Sequence, residues 1–198
     1  VIIATEDTKA TVAYFQAFIS PDYYQSPHVH VEVLTRTSGG SAPENVLRQL
    51  DEWRNEYQFG EGDEFWLVVD VDQWGDGKLS SVVQECIQKS ISLAVSNPAI
   101  EIWFLLHLTD LTVYRQTDLD EFLANEKVNN KRTRLDQEIV QLIGRYNKAN
   151  LHVEDFLPNL EDAIRRAEAL DHAPTDRWPQ GLGTRVYRLA RSIINRGR

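Results

Sequence analysis

The chain has 198 residues, 42% of them apolar and 26% charged, and a formal net charge of −9. This is the make-up of a soluble globular protein with one core of ordinary size, and no apolar run reaches the roughly 20 residues that a membrane span requires, so no membrane partner is expected. Cys86 is the single cysteine, which rules out an internal disulfide and fits a reducing cytoplasm; a lone thiol in an apolar stretch is read as core.

Charge is spread unevenly. Residues 1–100 hold 6 Lys/Arg and 15 Asp/Glu, whereas residues 101–198 hold 15 of each. An acidic chain binds phosphate only through local basic surface. The segment from Arg177 to Arg198, with six Arg and no acid, is the candidate for it. The chain contains no Met, and Val1 opens in mid-strand, so its natural start is expected upstream.

Taken in order, "VIIAT" (Val1 to Thr5) is a short β-branched strand, and "DTKATVAYFQAFIS" sets Val12, Phe15, Phe18 and Ile19 on one helical face. "HVHVEVLT" (His28 to Thr35) alternates as a strand. In "SAPENVLRQLDEWRNEY", Ser41 and Glu44 have capping-box spacing ahead of a stripe of Val46, Leu47, Leu50, Trp53 and Tyr57. "FWLVVDV" is a strand, "LSSVVQECIQKS" a helix and "ISLAV" (Ile91 to Val95) a fourth strand. "SNPAIEIWFLLHL" follows as a helix, with Asn97 at the N-cap and Pro98 at the first helical position. Alternating strands and helices predict an α/β fold with a parallel sheet covered by helices. From about Asp110 onward "DLDEFLANE", "TRLDQEIVQLIGRYNKA" (Thr133 to Ala149), "VEDFLPNLEDAIRRAEAL" and "TRVYRLARSIINR" read as helices, and no convincing strand follows. Residues 1–108 thus form an α/β domain, and 109–198 an all-helical C-terminal half packed on it.

Ligands of open parallel sheets sit beyond the carboxyl ends of the strands, and this chain puts acids there. Glu6 follows the first strand directly; Asp70 and Asp72 close "FWLVVDV". Residues two apart on a strand share a face about 6.5 Å apart, where two carboxylates repel by about 2.5 kcal/mol at an effective dielectric near 20. A divalent cation removes that cost, and Mg²⁺ takes one or two carboxylates while leaving room for water or phosphate. Aspartates also end strands simply to start turns, and "DQWGDG" is turn-like. Glu101 lies in a helix apolar nearly all round, so it either faces a site or meets an Arg or a backbone donor of the helical half. His107, further along that helix, reads as a satisfied core histidine. Arg185, Arg188 and Arg191 recur every third residue between Val186, Leu189 and Ile193. The pattern predicts a basic face for nucleic acid or a partner, an ordinary solvated face, or pairing with acids of the first half. No G-x-G-x-x-G follows the first strand and no Walker-type sequence occurs, which argues against a nucleotide-binding protein.

An acid after the first strand and D-x-D after a later one resembles the Toprim domain of topoisomerases, primases and OLD-type nucleases. A narrower likeness exists. "EDTKATVAYF" (Glu6 to Phe15) resembles the E-G-E-K-T-E-P-N-Y-F opening of RloB-like proteins. Ser96, Asn97, Pro98, Glu101, Trp103, Leu105, Leu106 and His107 match their S-N-P-x-x-E-x-W-x-L-L-H segment. The likeness implies a Toprim-like (Rossmann-like) fold and a metal-dependent nuclease acting in phage defence or abortive infection. It further implies an ABC/SMC-type ATPase partner, RloA. On the same likeness Asp70 and Asp72 hold Mg²⁺ (or Mn²⁺), and Glu6 is the general base or a further metal ligand. Lys9 faces the scissile phosphate, and Glu101 and Asn97 position the metal shell. The chain departs from the pattern at Asp7, where the family has Gly, and at Thr11 and Val12. Asp7 is either an extra metal ligand or a sign of weakened catalysis. The alternative expectation is a non-catalytic docking or sensor subunit of the ATPase.

Overall fold

The apolar strands pair in parallel because each is buried on both faces. The computed structural model describes residues 1–35, 40, 42–71, 74 and 76–196. A five-stranded sheet forms from β1 (Ile2–Thr5), β2 (Glu32–Leu34), β3 (Phe65–Asp70), β4 (Ser92–Asn97) and a short β7 (Gly183–Thr184), in the order β2-β1-β3-β4-β7. The first four run parallel and β7 pairs antiparallel with β4. The register sets Ile2 opposite Phe65, Thr5 opposite Val68, and Asp70 opposite Ser96. This is the α/β architecture expected from the alternating pattern.

Alternation along the strands builds two cores. Ile2, Ala4, Phe65, Leu67 and Val69 turn to one face, against α2 (Pro43–Glu56) and α3 (Asp76–Gln88), where Cys86 is also buried. Burial pushes the Cys86 thiol up to about 12, so it is inert core, as expected. Ile3, Trp66 and Val68 turn to the other face, against α1 (Ala10–Phe18) and α4 (Glu101–Leu108). The second half joins that same core through α5 (Gln116–Ala124), α6 (Arg134–Ile143), α7 (Leu160–Leu170) and α8 (Val186–Arg196). The Ser41 part of the expected capping box lies outside the described residues.

Three differences from the sequence-based expectations have physical reasons. The strand expected over residues 28–35 forms only at Glu32–Leu34, the three residues that pair with Ile2, Ile3 and Ala4 of β1. The second half is mainly helical, but it adds a hairpin of β5 (Lys127–Asn129) and β6 (Arg132–Thr133), together with β7. Strands of two or three residues leave no periodicity to read. The helix expected after Asn97 begins only at Glu101, and Asn97 itself closes β4, with a cis bond to Pro98. Pro holds the residue before it in extended backbone, which suits a strand end as well as a helix cap, and pairing of Asn97 with Gly183 of β7 makes it the strand end.

His107 is a satisfied core histidine, as its place in an apolar helix suggested. Its Nδ1 lies 2.8 Å from the Trp103 carbonyl, an acceptor only, so Nδ1 carries the proton and Nε2 accepts from the Tyr14 hydroxyl at 2.9 Å. Burial lowers its pKa to about 3. The unfolded chain therefore takes up a proton near pH 6.5 that the folded protein refuses, so stability is full above that pH and declines below it by about 1.4 kcal/mol per pH unit. Urea unfolding is expected to show a loss of about 2 kcal/mol from this residue between pH 7 and pH 5. His107→Gln should lack that component when the two pH profiles are compared.

Candidate functional site

Strand order reverses between β1 and β3, and such a switch point opens a crevice at the carboxyl ends of the strands. Glu6 stands there, its backbone N–H continuing the ladder to the Val68 carbonyl at 3.0 Å. Its Oε2 accepts from the Asp70 backbone N–H at 3.2 Å and its Oε1 from Trp74 Nε1 at 3.0 Å. The Glu6 carboxylate thus meets the main chain of Asp70, 64 residues away, at the end of β3. Asp72 lies outside the described residues. Among the described residues no group of three or more His, Cys, Asp or Glu is gathered as for a metal ion. Glu6 and Asp70 still offer the hard oxygen donors that suit Mg²⁺, which needs only one or two carboxylates. A carboxylate has about four acceptor sites, so the hydrogen bonds Glu6 accepts leave capacity for a cation.

Asp7 has a structural task. Its Oδ1 accepts from the Lys9 backbone N–H at 3.2 Å and its Oδ2 from that of Thr11 at 2.6 Å, while the Thr5 hydroxyl donates to the Asp7 carbonyl. It thus satisfies two N–H groups at the start of α1 and sets a negative charge at that helix end. The position where the family pattern has Gly is here a helix cap. Lys9, at the same helix start, lines a cleft of about 600 Å³ together with Lys131, Arg132, Asp136, Tyr146 and Lys148.

Glu101 sits beneath that cleft, fully buried at the first turn of α4. Its Oε1 accepts from Lys148 Nζ at 2.6 Å and from the Tyr146 hydroxyl at 2.9 Å; its Oε2 is buried with no hydrogen-bond partner among the described residues. Burial raises the Glu101 pKa, and the Lys148 charge opposes that rise. Burial alone would lower Lys148, but the adjacent Glu101 outweighs it and holds the ammonium above its usual range. Lys148 also feels the charge of Asp70, which links this pair to the switch-point crevice. Asp136 accepts from the Thr133 N–H at 3.0 Å through Oδ2, and its buried Oδ1 has no partner.

The cationic partner of Glu101 thus comes from the second half, as a Lys and not an Arg. Sequence reasoning placed residues 144–149 in a continuing helix and so missed Tyr146 and Lys148. The readable signal was Gly144: α6 ends there, in left-handed backbone at φ 76°, a common helix stop. Contrary to the expectation of an N-cap beside Glu101, Asn97 lies in β4 and shares no helix face with Glu101; its side chain donates to the Pro179 carbonyl at 2.9 Å and ties β4 to the second half. The arginines of α8 form no open basic face. Arg185 is 3% exposed and binds Asp171, as does Arg188 at 2.7 Å, and Arg191 pairs with Glu168 at 2.6 Å. All of those acids belong to the second half, because α7 packs alongside α8.

Two outcomes are expected. Replacing a purely structural buried ion pair member typically costs about 3–5 kcal/mol. Glu101→Gln keeps shape and acceptor while removing a desolvated charge, so at pH 8 its urea stability should lie within about 1 kcal/mol of wild type or above it. Because the folded pKa is raised, any advantage of the variant should grow as pH rises above 4.5. For Asp7, thermal unfolding of Asp7→Ala should show a loss of about 1 kcal/mol, and Asp7→Gly a loss of only a few tenths, as for other N-caps.

Comparison with curated proteins and with solved structures returns no match. A family model described as RloB-like protein matches residues 1–193. It therefore spans both the strand-end acids and the second-half residues around Glu101, and the chain belongs to the RloB-like family.

Proposed function

We propose that this protein is a divalent-metal-dependent phosphodiesterase that cuts nucleic acid. In this reading it is the cytoplasmic effector of a bacterial phage-defence system under the control of an ABC/SMC-type, RloA-like ATPase. The observation that carries the reading is the meeting of Glu6 and Asp70 at the switch point, with Glu6 Oε2 3.2 Å from the Asp70 amide. A core strand gains nothing from ending in an acid at the edge where Glu6 stands, whereas a phosphodiesterase needs one or two carboxylates there to hold Mg²⁺ or Mn²⁺. Bound there, the ion supplies Lewis acidity to the phosphodiester and lowers the pKa of an attacking water. Glu6 and Asp70, with Asp72, hold it in this reading. Where Glu6 is not itself a ligand, it is in this reading the base that takes the proton of the attacking water, oriented by its hydrogen bond from Trp74. Lys9 and Lys148 offset charge gathering on the phosphate, and Glu101 fixes Lys148 in place. The ATPase partnership rests on family membership.

A second reading, a docking subunit without catalysis, is favoured by one observation: both Glu6 oxygens already accept hydrogen bonds from neighbouring donors. Calorimetry with Mn²⁺ separates the two. The nuclease reading expects binding that is lost in Asp70→Ala, and cleavage of DNA or RNA that falls at least 100-fold in that variant with the ATPase present. Absence of metal binding and of cleavage in the wild type would establish the docking subunit instead.

A further inference from the structure

The α8 arginines, the obvious basic run of the sequence, are neutralised by Asp171 and Glu168. The hairpin between α5 and α6 is different. Lys127, Lys131 and Arg132 are all exposed, and among the described residues none of them makes an ion pair or a side-chain hydrogen bond with the protein; the same holds for Lys9. The neighbouring Arg134 is instead engaged by Glu121 at 2.9 Å and Glu138 at 2.7 Å. Eight other described arginines carry an ion pair, whereas the cations of the hairpin and of Lys9 do not, which leaves their charge available to an anionic ligand.

The hairpin is firmly planted. At its base the Arg134 N–H donates to the Glu126 carbonyl at 2.9 Å, and the Leu135 N–H donates to the side chain of the buried Asn125 at 3.1 Å. Thr133 and Asp136 close a capping box at the start of α6. At the tip, Asn129 Oδ1 accepts from the Lys131 N–H at 2.8 Å and holds the turn. Lys131 and Arg132 line the same cleft as Lys9 and Lys148. The cations are strung along the hairpin and into the cleft, whereas a single phosphate would call for convergent donors. One acid, Asp136, lines the cleft, with one of its oxygens tied to the Thr133 amide.

We infer that the β5–β6 hairpin, through Lys131 and Arg132 and together with Lys9 and Lys148 in the shared cleft, is a track for the phosphodiester backbone of a polynucleotide. The direction of the track, toward the Glu6–Asp70 crevice, rests on the nuclease reading; the binding itself does not.

The test is fluorescence anisotropy of labelled DNA and RNA oligonucleotides, single- and double-stranded, in EDTA across a salt series. Lys131→Ala/Arg132→Ala is expected to weaken binding at least tenfold near 0.1 M salt. Removing two phosphate contacts should also make the log–log salt slope shallower by about 1.4 to 1.8. Both residues are exposed and unpartnered, so the melting temperature should stay unchanged. Arg48→Ala/Arg165→Ala, which removes equal charge from α2 and α7, is expected to bind as wild type. Whichever of DNA and RNA binds more tightly identifies the source of the backbone. The inference is overturned if wild type binds neither, if the hairpin variant keeps wild-type affinity and slope, or if the control loses as much. Because binding is read in EDTA, failure of the metal reading appears only as missing cleavage and leaves the anisotropy result unaffected.

Discussion

Parallel pairing of β1 with β3 is the constraint on which the site depends. Both strands are apolar on both faces, so both must lie inside the sheet with helices above and below. Parallel strands bring their carboxyl ends to one edge, and the register that sets Thr5 opposite Val68 sends Glu6 toward the Asp70 amide. A slip by one residue would turn Ile3 and Trp66 into the wrong core. Packing of the two cores therefore fixes where the acids stand, and the hydrogen bonds that Glu6 accepts from the Asp70 amide and Trp74 add to that placement.

The second half supplies what the sheet cannot. Glu101 is buried by the apolar packing of α4, and an ionised carboxylate there is costly unless a cation reaches it. Lys148 and Tyr146 do so from the segment after Gly144, leaving Lys148 half exposed beside the cleft. One oxygen of Glu101 and one of Asp136 remain buried without partners. Gln49, Trp103 and Arg166 each hold one such atom as well among the described residues, so the condition by itself marks no site. At the other end of the fold Asp171, 4% exposed, gathers Arg185 and Arg188 and holds α8 to the segment after α7. The most basic stretch of sequence is thus a structural clasp.

The sequence carried the alternation of the sheet, the helical faces and the acids at the strand ends, because each is a local pattern of period two or near 3.6. His107 and Cys86 were legible as core for the same reason: their immediate neighbours are apolar. Asn97 was misplaced because Asn-Pro serves equally well as a helix start and as a strand end. The end of α6 was extended too far since the apolar periodicity runs up to Gly144 and only the glycine marks the stop. The hairpin escaped notice because its strands are shorter than any period.

By itself, then, the sequence determined the α/β layering, the positions of Glu6 and Asp70 at strand ends, and the burial of Glu101. Which charges face one another was decided only by tertiary structure. Glu101 finds Lys148 across 47 positions, Arg196 finds Glu64 across 132, and Lys131 and Arg132 find no acid among the described residues. A charge pattern read along the chain cannot tell a paired arginine from an open one, because pairing is a contact between distant segments, set by how the helices pack.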